Sequence, residues 1–185
     1  MPAISQLCMN CALTGEWEAA YRYAVQAIAL RKISDAALIP LDFSSHYETE
    51  ALLRGGDERQ AREEVHRLRE RLGPNPRFRI PYLRSLAVLA AWEGNTEQAM
   101  DHLREAAGLA AELGLPAEQW QIQERLGRLY QASGEQEQAR TAFGAAARII
   151  QGLAEGIGDE ALRTNFLAGP QIQPLLQQGS STLPS

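Results

Sequence analysis

Residues 133–150 read SGEQEQARTAFGAAARII, and this stretch predicts the end of one helix and the body of the next. Gly134 is followed by a short polar link, and Ala139 opens an amphipathic run. A glycine ends a helix at the least cost, because the left-handed residue that closes the last turn does best without a Cβ. An alanine suits the place where two helices cross most closely, since a larger side chain would hold them apart. The stretch therefore predicts two antiparallel helices joined by a tight turn.

The same pattern occurs three more times upstream. The segments are TGEWEAAYRYAVQAIAL (14–30), GGDERQAREEVHRLRERL (55–72) and EGNTEQAMDHLREAAGLA (93–110). The turn glycines are 41, 38 and 40 residues apart, at Gly15, Gly56, Gly94 and Gly134. An alanine follows each glycine by five positions, and a small or apolar residue comes seven positions later: Ala20, Ala61, Ala99 and Ala139, then Ala27, Leu68, Ala106 and Ala146. This near-constant period indicates stacked helix pairs that bury their apolar faces against one another.

These units resemble the tetratricopeptide repeat, whose pattern is Trp-x-x-Leu-Gly-x-x-Tyr in the first helix, Gly at the turn, and Ala, Phe and Ala in the second. The fourth unit has seven of those positions: Leu126, Gly127, Tyr130, Gly134, Ala139, Phe143 and Ala146. Gln123 occupies the place of the family's Trp. The third unit keeps Leu83, Leu86, Ala87, Ala90, Gly94, Ala99, Leu103 and Ala106. The second unit departs from the pattern, with Glu48 and Thr49 at normally apolar and small positions and a Gly55-Gly56 pair that leaves its register open by one residue.

The long period is similar to that of the helical arrays at the C-terminal end of bacterial signalling ATPases and MalT-like regulators. The resemblance implies an all-α fold, a right-handed superhelical solenoid of about four antiparallel helix pairs with a C-terminal capping helix. We expect one domain over residues 1–178. Its parts would be units at 1–37, 41–76, 80–115 and 120–155, and a capping helix at 158–168. Residues 179–185 have nothing to bury and are expected to be disordered.

Both ends of such an array need a cap, because an end unit would otherwise expose an apolar face. At the C-terminal end we expect an apolar stripe over the last helix pair, formed by Ala161, Leu162, Phe166 and Leu167, with Ile172, Leu175 and Leu176 resting on that cap. At the N-terminal end, Met1 falls at the first position of a repeat with no polar capping helix before it. This favours a piece cut from a longer protein, and the alternative is a first helix pair that stacks on a second chain.

Composition and charge narrow the class of protein. The chain is 45% hydrophobic and 22% charged, as in ordinary globular proteins, and its net charge of −5 argues against nucleic acid or an anionic membrane as the main partner. No apolar run approaches the roughly 18–20 residues that span a bilayer, no signal peptide is evident, and two cysteines make no disulfide framework, so a cytoplasmic location is expected. The most cationic stretch, RLRERLGPNPRFRIPYLR (67–84), leaves RNA or DNA binding as a minor alternative to charge compensation at a helix end.

No residue pattern predicts catalysis, a cofactor or a metal. Cys8 and Cys11 form a C-x-x-C pair in LCMNCALTGEW (7–17), but they fall in the second half of a predicted first helix, at packing positions. Redox pairs usually lie at a helix N-terminus, and zinc would need about two further ligands. The histidines at 46, 66 and 102 are isolated from one another, and no glycine-rich phosphate loop occurs. An enzyme that uses the two cysteines remains the least favoured hypothesis.

In the tetratricopeptide family, partners bind in a concave groove lined by the first helices. Carried over to this sequence, the family positions predict a groove formed by Arg84, Val88, Trp92, Gln121, Glu124, Arg128 and Gln131. Arginine and tryptophan are frequent binding anchors, and an extended peptide or helix with an acidic group and an apolar anchor would suit this mixture. Simple packing of Trp92 and an ion pair between Arg84 and Glu124 are the structural alternatives.

The leading hypothesis is a non-catalytic protein–protein interaction module, the C-terminal fragment of a larger bacterial signalling or regulatory protein. Its partner would be a protein, a peptide or another domain of its own parent chain, with no nucleic acid and no membrane involved. The alternative hypothesis is a structural scaffold that forms a homodimer through the exposed N-terminal repeat face. Partner identity cannot be read from a helical repeat, because a fold provides a shape and a few surface residues provide specificity.

Overall fold

The computed structural model describes residues 2–33 and 44–180, and this part of the chain is all-helical, with no strand. These described ranges contain ten α helices: α1 Pro2–Thr14, α2 Trp17–Ile33, α3 Ser45–Arg54, α4 Glu58–Glu70, α5 Arg79–Trp92, α6 Thr96–Glu112, α7 Pro116–Ala132, α8 Gln136–Glu155, α9 Glu160–Leu167 and α10 Gln173–Ser180. A 3-10 turn, Pro76–Phe78, precedes α5. The all-α prediction is confirmed for these residues. None of these helices combines the length and the apolar character that crossing a bilayer requires.

The chain divides into two compact units, Met1–His102 and Leu103–Ser185, and the division falls within α6. Each predicted repeat unit overlaps two helices in sequence: α1 and α2, α3 and α4, α5 and α6, and α7 and α8. Residues 34–37 and 41–43, at the predicted border of the first two repeat units, lie outside the described residues. Of the tail predicted at 179–185, the first two residues belong to α10, and 181–185 lie outside the described residues.

The four predicted turn glycines all have a left-handed backbone, with φ angles of 81°, 82°, 80° and 83° at Gly15, Gly56, Gly94 and Gly134. Each turn makes the same two hydrogen bonds. After α5, for example, Gly94 N–H donates to the Ala91 carbonyl at 3.1 Å and Asn95 N–H to the Ala90 carbonyl at 2.8 Å. This pair of bonds is the Schellman motif, which satisfies the last carbonyls of a helix. In the second predicted repeat, Gly56 and not Gly55 has the left-handed backbone conformation. This assigns the register of that repeat, which the sequence left open.

In the first compact unit, Met1–His102, small residues of the repeat pattern lie in the hydrophobic core. Ala20, Ala61 and Cys8 are fully buried, as are the larger side chains of Ile28 and Leu52 in the same cluster. The remaining buried members are Ala12, Ala24, Ala51, Leu53, Val65, Val88 and Leu89. Because many members are small, the larger aliphatic side chains contribute a large share of the buried apolar area.

A polar cluster lies beside this apolar core, and it accounts for the departure of the second repeat from its pattern. Two guanidinium nitrogens of Arg31, on α2, donate to the two carboxylate oxygens of Glu48, on α3, at 3.1 and 2.5 Å. Ser5 on α1 donates its hydroxyl to Glu48 at 2.8 Å. Glu64 on α4 lies 3.7 Å from Arg31 and 2.6 Å from Arg67. A carboxylate at a normally apolar position is thus tolerated because a bidentate arginine and a hydroxyl replace its water.

In the second compact unit, α7 and α8 form an antiparallel pair that packs tightly at Gly127. A Cβ added to Gly127 would lie 2.6 Å from the ring of Phe143, which is itself buried. The Leu126-Gly127 step of the repeat pattern therefore has a direct packing role here, since only a missing side chain leaves room for the ring. Ala139, Ala146 and Ile150 continue the buried stripe of α8.

The C-terminal helix that packs most closely on the core with α8 is α10, and not the predicted capping helix. The predicted capping helix is present as α9, but it has no buried residue: Ala161 is exposed and Leu162 is 61% exposed. Phe166 and Leu167 are only partly buried. α10 contacts α8, and its Leu175, with Ile172 just before it, enters the core. The expected stripe of four apolar residues was therefore wrong in its first half, because the short α9 presents only its last turn to the core.

Candidate binding groove

The second unit contains an open groove of about 780 Å³ between one face each of α6, α7 and α8. We call it the α6–α8 groove. Its lining residues are Arg104, Ala107, Gly108 and Ala111 from α6, Gln119, Gln123, Leu126 and Tyr130 from α7, and Glu137, Gln138, Thr141, Ala142 and Ala145 from α8. All of them belong to residues 103–185, so the groove lies within one compact unit.

Helical periodicity explains how α7 contributes its four lining residues. Gln119, Gln123, Leu126 and Tyr130 follow one another at intervals of four, three and four positions, which places them on one face of the helix. Leu126 is buried, as are Ala107 of α6 and Ala142 of α8, and these three residues form the apolar floor. The two glutamines are half-buried and lie along the same face. The groove therefore combines an apolar floor with amide groups that can form hydrogen bonds.

One end of the groove, near the Gly134 turn, is polar. The Arg104 Nε donates to the Tyr130 hydroxyl at 3.0 Å, and the guanidinium lies 5.6 Å from the Tyr130 ring centroid. A guanidinium within about 6 Å of an aromatic ring is attracted to its π face, so Tyr130 orients Arg104. Glu137, in the first turn of α8, is the only other charged residue that lines the groove. Charge is thus confined to one end and carries both signs.

Small residues make up much of the groove lining on α6 and α8. Besides the floor residues Ala107 and Ala142, the lining on these two helices includes Gly108, Ala111 and Ala145. Gln123 stands where the repeat pattern would place a tryptophan, which is a much larger side chain. The departure of the fourth unit from its pattern therefore coincides with the groove.

The sequence-predicted residues of α7 lie on a different face from the groove. Gln121, Glu124, Arg128 and Gln131 recur at intervals of three and four, like the groove residues, but at about 100° per residue the two sets point in nearly opposite directions. Arg128 Nε bonds to the Glu124 carboxylate within that face, as an i, i+4 pair. Arg128 is exposed and Gln131 is exposed. None of the predicted partner-binding residues lines the α6–α8 groove.

The predicted residues of α5 differ in how accessible they are. Arg84 is 6% exposed and Val88 is buried, whereas Trp92, at the end of α5, is 50% exposed. Only Trp92 of the three therefore offers a large surface in the described structure. Because α5 belongs to the first compact unit and α7 to the second, the prediction of one groove shared by both stays a prediction.

Sequence reasoning missed the α6–α8 groove, although two signals for it were present. One is the replacement of the repeat tryptophan by Gln123, and the other is the run of alanine and glycine at 107, 108 and 111 of α6. Each of these two signals is weak alone. Small residues at helical spacing, for example, also occur wherever two helices pack closely. Only the arrangement of three helices shows that these positions face a common space.

Other candidate chemistry from the sequence lies elsewhere. Cys8 is fully buried and Cys11 half-buried, which agrees with packing positions. Across residues 2–33 and 44–180, no three His, Cys, Asp or Glu side chains come together in a way that could hold a metal ion.

The arginines of α4 and of the cationic stretch are largely engaged. Arg62 pairs with Glu58 and Glu93, each at 2.6 Å, and these hydrogen bonds raise the pKa of Arg62 above its usual value. Arg67 pairs with Glu64, and Arg84 is buried. Two arginines of the stretch at 67–84 are therefore not available to a phosphate backbone, which weakens the nucleic-acid alternative.

Comparisons of the chain with protein-family models, with curated proteins and with solved structures found no match.

Proposed function

We propose that the chain is a non-catalytic, cytoplasmic protein-interaction module, built of tetratricopeptide-like repeats stacked in a solenoid, and that the α6–α8 groove holds a segment of its partner. The partner is a protein or peptide, or another domain of a larger bacterial signalling or regulatory protein of which this chain is the C-terminal part. The observation that carries the proposal is the α6–α8 groove itself.

The dimensions and lining of the groove support peptide binding. Its volume of about 780 Å³ lies in the range of roughly 300–1,000 Å³ that is typical of ligand sites in proteins. Its floor is apolar, its lining also includes amide, hydroxyl and phenol groups, and it is open to solvent. A peptide can bury apolar side chains on such a floor while its polar backbone bonds to the rim.

The test is to block the groove and measure binding. Peptides that bind the chain are selected from a phage-displayed library of random heptapeptides, and their affinities are measured by fluorescence polarisation. The variant Gly108→Trp places a large side chain in the α6–α8 groove, at an exposed position where an added Cβ meets nothing within 4 Å. We expect it to weaken binding at least tenfold while circular dichroism and thermal unfolding show an intact fold.

The matched control places the same residue at a position of α7 that does not line the groove. Gln131→Trp alters one of the residues predicted from the repeat pattern, at an exposed position. It should leave the affinities unchanged. If Gln131→Trp blocks binding and Gly108→Trp does not, partners bind the face predicted from the sequence, and the assignment to the α6–α8 groove is wrong.

A homo-oligomeric scaffold is the alternative function, and one observation favours it. Leu7, a large apolar side chain on α1, is 42% exposed and could be covered by a second chain. The nearby Gln6 and Asn10 side chains are hydrogen-bonded to each other at 3.2 Å and could form the polar edge of such a contact. If α1 forms a dimer contact, light scattering should give twice the 20.4 kDa mass of the chain at micromolar concentration, and Leu7→Asp should return it to the monomer mass.

A further inference from the structure

Two glutamines of α7 are spaced to bind the backbone of an extended peptide. Gln119 and Gln123 are four residues apart on the groove face of α7, and neither side-chain amide makes a hydrogen bond to another residue in the described ranges. Each amide offers both a donor and an acceptor, as a peptide unit does. We infer that the α6–α8 groove takes an extended, uncharged peptide segment whose backbone pairs with these two amides. This inference rests on the proposed function.

The spacing favours an extended ligand over a helical one. Four residues of α helix rise about 6.0 Å, and two residues of an extended strand rise about 6.6 Å. In a strand, every second residue presents its N–H and C=O to the same edge, so successive backbone groups on that edge can meet Gln119 and then Gln123. A helical ligand has its backbone groups bonded internally and leaves both amides without a backbone partner.

The charges favour an uncharged segment. Arg104 and Glu137 are the only charged residues that line the groove, and they have opposite signs and lie at the same end. Along the remaining length the floor consists of Leu126, Ala107 and Ala142. A charged side chain laid on that floor would lose water without gaining a counterion, which is unfavourable. Neutral side chains complement this surface.

Gly108 leaves the α6 wall low enough for a backbone to approach. It lies within α6 with a helical backbone, and an added Cβ would meet nothing within 4 Å, so neither its backbone conformation nor its packing requires a glycine. A glycine inside a helix is less stable than an alanine at the same position. Its missing side chain widens the groove, and a ligand backbone can lie close to α6 at this point.

The length of the groove sets the length of the segment. From Gln119 to Tyr130 the helix rises about 16 Å, which matches about five residues of extended chain. The ligand is therefore a segment of about five neutral residues, with small or aliphatic side chains at the positions that face the floor.

The experiment uses the heptapeptides whose binding Gly108→Trp abolishes. Each is resynthesised with a single backbone N-methyl group at each position in turn, which removes one N–H donor and leaves the side chains unchanged. We expect losses of about tenfold or more at alternate positions, because each methyl group there removes a hydrogen bond to the groove and adds a clash. The selected peptides should also be depleted of Asp, Glu, Lys and Arg over the central five residues.

Matched protein variants test the two amides. Gln119→Leu and Gln123→Leu keep a similar volume and remove the amide, and each should weaken binding about tenfold. Gln121→Leu, on the opposite face of α7, should leave binding unchanged. A charged consensus, N-methyl effects without a period of two, or full binding by both groove variants would overturn the inference while leaving the proposed function intact. If no selected peptide depends on the groove, the proposed function fails and the inference fails with it.

Discussion

At the scale of single residues, Glu48 makes the sharpest test of the buried polar cluster. Its side chain is 5% exposed, and Arg31, its bidentate partner, is 14% exposed. We expect Glu48→Leu to lower the free energy of unfolding by about 3 kcal/mol, because it leaves a mostly buried guanidinium without its main counterion. Denaturant unfolding, followed by circular dichroism, measures the change.

The double variant Arg31→Met with Glu48→Leu distinguishes two causes of lost stability. One is the loss of the ion pair itself, and the other is the burial of an arginine without its counterion. It should recover most of the stability, since apolar side chains of similar volume can replace a buried ion pair at little cost. The exposed pair of Glu18 and Arg22 provides the control, and Glu18→Leu should cause no measurable change. If the double variant is as unstable as Glu48→Leu alone, the cluster stabilises the unit by something other than the Arg31 pairing.

Gly127 provides a second residue-scale prediction. Gly127→Ala should destabilise the chain by about 1 kcal/mol, because the clash with the buried Phe143 ring outweighs the helix propensity that alanine adds. Gly152→Ala, on α8, has nothing within 4 Å of the added Cβ and should instead stabilise by about 0.5–1 kcal/mol. A double-mutant cycle of Gly127→Ala with Phe143→Leu should show non-additive energies. Additivity would mean that the ring does not oppose the methyl group.

At the scale of helices, the C-terminal cap depends on α10 more than on α9. Leu175 is 3% exposed in the core with α8, and Leu162 on α9 is 61% exposed. We expect Leu175→Ala to cost about 2–4 kcal/mol in unfolding free energy and Leu162→Ala less than about 0.5 kcal/mol. Thermal and denaturant unfolding of both variants provide the comparison. Equal losses would show that α9 covers the core as the sequence pattern predicted.

The helix pairs themselves were predictable from sequence, for a local reason. A left-handed glycine with two characteristic hydrogen bonds is specified by a few adjacent residues, so Gly15, Gly94 and Gly134 could be assigned by their period alone. The Glu48 cluster could not be predicted. Arg31 is 17 residues away in the chain, and whether its side chain contacts Glu48 depends on how α2 and α3 pack. The α6–α8 groove could not be assigned either, since it depends on which faces of three helices share a space.

At the scale of the whole molecule, the described residues include two clusters of buried apolar side chains that come from different parts of the sequence. One contains buried residues from Cys8 to Leu89, and the other from Ala139 to Leu175, and they share no member. Each lies in a different compact unit. We therefore expect local opening within one unit to cost less free energy than unfolding of the entire chain.

Amide hydrogen exchange tests whether the two units open separately. Leu52→Ala removes a fully buried side chain from the first core and should cost about 2–4 kcal/mol, which lowers amide protection there by thirtyfold or more. We expect that loss in α1 to α4, with α7 and α8 unchanged. Ile150→Ala, in the second core, should give the reverse pattern. If either substitution lowers protection equally throughout the described helices, the chain unfolds as one cooperative unit, and ligand binding in the α6–α8 groove would then stabilise α1 to α4 as much as α7 and α8.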